Sequence, residues 1–147
     1  MERARVDEAR LIRAVRLRAV HHYRRAGWSE EENRRAFGAQ AETHAPDWSV
    51  EVHVAGPVDP ATGWCVDLGA LDAHLAAVTA GWDGGDLNAL VPEVARGEMT
   101  PSTENLARWL HGRLAARVRE PARVVEVRVW ESDALGSAYP SCIPTEV

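Results

Sequence analysis

The stretch "WSVEVHV" constrains the fold more than any other part of the sequence. Trp48, Val50, Val52 and Val54 alternate with Ser49, Glu51 and His53, and a period of two puts the two sets on opposite sides of an extended backbone. A run of this kind is a half-buried strand, and it needs neighbouring strands to satisfy its backbone. A second such run, "PARVVEVRVWES", lies much further along. Its Val125, Val127 and Val129 share one face, and Glu131 continues in the same register.

Between these runs the apolar period changes to that of a helix. Asp67 is placed to cap a helix whose stripe is Leu68, Leu71, Leu75 and Val78. A second helix is predicted to start near Thr100–Pro101–Ser102, with Leu106, Trp109, Leu110 and Leu114 as its stripe. Ser29 and Glu32 have capping-box spacing, which predicts a short helix or turn. "GPVDPATG" reads as a turn and "WCVDL" as a returning strand, giving a hairpin with the Trp48–Val54 strand. "GWDGGDLNALVPEVARGEMTP" reads as a loop, and "SAYPSC" as a short last strand. Leu11–Tyr23 stays open between helix and strand on periodicity alone. The resulting order is that of an α+β protein, an antiparallel sheet with two helices on one face. Its open edges favour a homo-oligomer. Residues 1–10 are expected to be a flexible tail ahead of a single domain at 11–147.

Composition narrows the function. A net charge of −5 disfavours a nucleic-acid backbone or an anionic membrane as the main partner. All 17 basic residues are arginine, so no lysine is available for Schiff-base chemistry. Cys65 and Cys142 do not have metal or redox spacing, and Cys65 reads as a small buried hydrophobe. No long apolar run follows the charged start "MERARVDEAR", so neither a signal peptide nor a membrane span is expected, and the cytoplasm is the simplest location.

Several side groups have two readings. Glu131 ends an apolar face as an ordinary strand-end acid or as a functional carboxylate. Ser102 and Thr103 either cap a helix or present hydroxyls to a ligand. Trp28 and Trp48 either stack on a planar ligand or pack inside. His74 and His111 lie on the two helices as surface or interface groups.

Taken together, "SEEENRRAFG", "DPATGWCVDLGAL", "WDGGDLN", "STENLARWL" and "VRVWES" resemble, in order and spacing, the 6-pyruvoyl-tetrahydropterin synthase and 6-carboxytetrahydropterin synthase family. The resemblance runs from about Leu11 to Tyr139. It implies the T-fold, four antiparallel strands with two helices on one face, closed into a hexamer of two trimers with sites at subunit interfaces. It also makes the segment from Leu11 to His22 a strand.

The family's zinc ligands map onto His21, His44 and Pro46, the last of which cannot bind metal. Its catalytic cysteine maps onto Gln40, and its Asp-His pair onto Asp83 and Gly84. The ligand-anchoring groups are retained as Glu131, Ser102 and Thr103. Two histidines fall short of a zinc site with three protein ligands, and Gln40 has no titratable proton. No cofactor is therefore expected. A zinc site completed by Glu42, Asp47 or His22 is the alternative, although His22 faces away from His21 in a regular strand.

These substitutions imply a repurposed enzyme rather than an authentic pterin synthase. Glu131, Ser102 and Thr103 would hold a small planar or amine-bearing substrate. Asp83, His44, His21 and Gln40 would carry metal-independent acid–base chemistry: cyclisation, elimination or C–C cleavage, with secondary metabolism as a natural setting. The alternative is an inactive member that holds a pterin-like ligand or serves as a scaffold.

Overall fold

The two alternating runs lie side by side. In the computed structural model, which describes residues 7–141, strand β1 is Glu8–Arg18 and β2 is Asp47–Pro57. Strand β3 is Arg123–Ser132 and β4 is Leu135–Tyr139. All pairings are antiparallel, in the spatial order β1-β2-β3-β4. The ambiguous segment is a strand as far as Arg18, paired with β2 from Glu8↔Pro57 to Arg18↔Asp47. That strand starts at Glu8, inside the stretch expected to be a tail.

The helices are α1 (Glu30–Phe37), α2 (Leu68–Val78), α3 (Leu87–Leu90), α4 (Pro92–Ala95) and α5 (Thr103–Ala115). Ser29 and Glu32 close the capping box of α1, Asp67 caps α2 and Ser102 caps α5, each through its side-chain oxygen. The stretch read as a loop after α2 contains the one-turn helices α3 and α4. Trp48, Val50, Val52 and Val54 face the helices and are fully or almost fully buried. They pack with Leu71 and Leu75 of α2 and with Leu106, Leu110 and Leu114 of α5. Burying each such leucine contributes about 1.5–3 kcal/mol.

Two expectations are corrected. "WCVDL" is not a returning strand: both edges of β2 are already occupied, by β1 and β3. The segment folds back through Asp59 N–H to Trp64 C=O, and Cys65 lies under Gly56. In β3, a bulge opposite His53/Val54 interrupts the alternation. Val124 therefore packs on the core alongside Val127 and Val129, in place of Val125.

The other sheet face carries no helix among the described residues and is charged. His53 is buried there between Glu51 and Glu126, its ring nitrogens 3.4 and 3.5 Å from their carboxylates. Among the described residues no helix is long and apolar enough to cross a membrane.

Candidate functional site

Beyond β1 the backbone runs on as Ala19–Val20–His21, which is held on both sides. Val20 N–H donates to Gly85 C=O and Val20 C=O accepts from Leu87 N–H. His21 pairs with His44 through reciprocal backbone hydrogen bonds of 3.0 and 3.1 Å. Directly opposed residues in such a pair project their side chains to the same side, so the two imidazoles meet.

The third member comes from the end of β3. Glu131 follows Val127 and Val129 on the helix-facing side, at a register shift between Trp130 and Ser132. Its Oε1 lies 3.0 Å from His21 Nε2 and 2.7 Å from His44 Nε2, and the two Nε2 atoms are 2.8 Å apart. His21 is fully buried, Glu131 is 8% exposed and the His44 imidazole is 33% exposed.

The other ring nitrogens are committed. His21 Nδ1 donates to Pro101 C=O and His44 Nδ1 to Glu42 C=O, both at 3.0 Å. A carbonyl only accepts, so each ring carries a proton on Nδ1 and turns its Nε2 towards the shared space. Burial holds the His21 imidazole below its ordinary value, against the opposing effect of Glu131 and the Pro101 carbonyl. Trp48 fixes the ring edge-on at 4.6 Å and anchors its own indole N–H on Ala19 C=O. Trp48 is thus a wall of the site, not a platform for a ligand. Tyr23 lies edge-on to His21 at 5.4 Å. Its hydroxyl is pushed up to about 12 by burial and by the charges of Glu131 and Glu104.

This cluster forms one wall of an open cavity of about 660 Å³ that is also bordered by Gln40, Pro46, Asp47 and Asp133. Other expected site residues have protein partners of their own. Asp83 accepts a hydrogen bond from Arg18 N–H and lines adjoining grooves. Ser102 Oγ caps α5, and Thr103, 2% exposed, bonds Ser137 Oγ at 2.6 Å. Thr103 thereby joins the start of α5 to β4, and both residues directly follow Pro101, whose carbonyl holds His21. Trp28 stacks on Phe37, which in turn packs against Tyr23.

The donor set fits a divalent cation. His21, His44 and Glu131 each offer one ligand atom, all within 4.8 Å of one another, and Glu131 Oε2 is buried without a hydrogen-bond partner. Each imidazole also has its Nδ1 hydrogen bonded to a carbonyl, the outer bond that orients metal-binding histidines. Glu42, Asp47 and His22, the replacement ligands weighed from sequence, are not part of the group. Glu42 contributes its carbonyl instead. The shared register of Glu131 with Val127 and Val129 was legible in the sequence, but its approach to two histidines from distant segments was not.

A family model described as 6-pyruvoyl tetrahydropterin synthase matches residues 10–141. The human 6-pyruvoyl tetrahydrobiopterin synthase is 30% identical over 129 residues, covering 86% of this chain and 87% of the human protein. The Poecilia reticulata protein of the same description is 30% identical over 127 residues, 84% of each protein. Among solved structures, Caenorhabditis elegans 6-pyruvoyl tetrahydropterin synthase superposes with a TM-score of 0.81 at 22% identity, over 92% of this chain and 96% of the other.

Proposed function

This chain belongs to the 6-pyruvoyl tetrahydropterin synthase family, and from that premise we propose that it is a lyase-type enzyme for a small, oxygen-bearing, planar substrate. The observation that carries this reading is the convergence of His21, His44 and Glu131, within 3.0 Å of one another, at the wall of an open cavity. Clustered buried titratable groups beside a cavity are what proton-transfer chemistry requires.

His21, His44 and Glu131 would hold a divalent cation, and a bound cation would polarise a substrate carbonyl or hydroxyl oxygen. The protein's own residues do the rest. Trp48 and the Pro101 carbonyl hold the His21 ring in one orientation. The Gln40 amide donates a hydrogen bond to a substrate oxygen. A carboxylate at the cavity border, Asp47 or Asp133, would accept the proton that leaves carbon. The described residues that border the cavity include carboxylates and no arginine, and Arg18 reaches Asp47 from the adjoining groove at 3.7 Å. The outer edges of β1 and β4 suit a homo-oligomer, and the cytoplasm is its proposed location.

A second reading, a ligand-holding protein without turnover, draws support from one observation: Asp83 faces a different groove from the cluster. Deuterium incorporation separates the two. A panel of pterins with hydroxylated or keto substituents, incubated with the protein in D2O, is expected to exchange a C–H of the substituent. His44→Ala is expected to lower the rate by about 10²–10⁴. Tight binding with no exchange or turnover across the panel would leave only the ligand-holding reading.

A further inference from the structure

We infer that this protein rebuilds a divalent-cation site from two histidines and one carboxylate, His21, His44 and Glu131, so that Glu131 is a cation ligand and not a substrate anchor. The inference rests on the proposed location of the active centre, and assigns it a ligand set.

Both Nδ1 atoms donate to carbonyls, Pro101 and Glu42, which leaves His21 Nε2, His44 Nε2 and Glu131 Oε1 facing one another at 2.8, 3.0 and 2.7 Å. Without a proton on either Nε2, all three contacts are between acceptors. One proton on an Nε2 still leaves one acceptor–acceptor contact, and protons on both set two N–H groups against each other at 2.8 Å. A divalent cation satisfies all three at once and offsets the carboxylate charge. Glu131 Oε2 is a second, independent observation: it is buried and has no hydrogen-bond partner, on a residue 8% exposed, where an unpaired carboxylate oxygen is costly.

Donors around a tetrahedral zinc ion stand about 3.3 Å apart, so loading requires the cluster to open by about half an ångström. His44, one third exposed on the cavity side, has room to move that far. The carboxylate also supplies what Pro46 cannot: β3 delivers the third ligand from across the sheet, where a ligand at position 46 would have come from beside His44. Two imidazoles and one carboxylate suit zinc, cobalt and iron(II).

The test is titration of the chelator-stripped full-length protein with cobalt(II), followed by visible absorption, with zinc competition and elemental analysis. The expected result is one ion per protomer, and affinity lowered at least tenfold to a hundredfold in Glu131→Gln. Glu131→His is expected to restore tight binding with an altered cobalt spectrum. Far-UV circular dichroism checks that the variants fold. If Glu131→Gln is poorly folded, imidazole NMR of the wild-type protein serves instead: zinc should shift the Nε2 signals of His21 and His44 while both Nδ1 protons persist. Unchanged affinity and spectrum in folded Glu131→Gln, or a wild-type protein that binds no ion at millimolar cobalt, would overturn the inference. Deuterium exchange that persists without cation binding would sink this ligand set and leave the proposed enzyme standing. Cation binding with no exchange would do the reverse.

Discussion

The Nε2 atoms of His21 and His44 stand 2.8 Å apart because their residues are directly opposed across a two-residue bridge. That bridge lies beyond the end of the β1–β2 ladder, which closes at Arg18↔Asp47. The α1 excursion between the two strands ends by bringing His44 back to His21, and β3 supplies Glu131 from the other side. The site is therefore as stable as the short segments that hold His21 in place.

Gly85 is one of those supports. A Cβ there would lie 2.2 Å from the Gly81 carbonyl oxygen and 2.6 Å from a Leu90 methyl, and Gly85 C=O holds Val20, next to His21. Gly85→Ala is expected to cost about 1–3 kcal/mol in chemical denaturation and to weaken cation binding at the neighbouring cluster. An unchanged midpoint would mean that the 81–85 turn relaxes without disturbing the strand end.

Ser102 separates a cap from a ligand contact. Its Oγ accepts from Asn105 N–H at the start of α5. Ser102→Ala is expected to lower stability by about 1 kcal/mol and to leave exchange kinetics within about threefold of wild type. A rise in KM without loss of stability would return the hydroxyl to the substrate.

For Asp83 the comparison is between a turn contact and a catalytic group. Asp83 Oδ1 accepts from Arg18 N–H, and an asparagine oxygen can do the same. Asp83→Asn is expected to leave both stability and exchange rate nearly unchanged. A fall of about 10² or more would place Asp83 in the chemistry.

Tyr23 gives a pH signature. Burial, then Glu131 and Glu104, push its hydroxyl up to about 12, above the ordinary value of 10.0. The phenolate is thus disfavoured in the folded state. The stabilising contribution is fully present below the unfolded value near 10 and is lost as pH rises towards 12. Ultraviolet titration should show one late-ionising tyrosine, absent in Tyr23→Phe. Ionisation of Tyr23 near 10 would contradict the burial of this hydroxyl.

What was legible in the sequence was local. The alternation of Trp48–Val54 and the caps Ser29, Asp67 and Ser102 depend on residues a few positions apart, and the structure reproduces them. The hairpin predicted for "WCVDL" failed because strand pairing is non-local: β3, which begins only at Arg123, takes the edge that a returning strand would need. Val125 was displaced from the core by one bulge residue, which periodicity cannot anticipate. Glu131 ends an inward-facing register in the sequence. Its register showed that it pointed inward, but only the tertiary fold shows that the two surviving histidines meet it there.

The most direct measurement is X-ray absorption at the zinc K-edge of zinc-loaded protein, wild type beside Glu131→Gln. The expected spectrum is a light-atom shell with multiple-scattering features of two imidazoles, with loss of one oxygen scatterer in the variant. Identical spectra for the two proteins, or a shell containing sulfur, would contradict it.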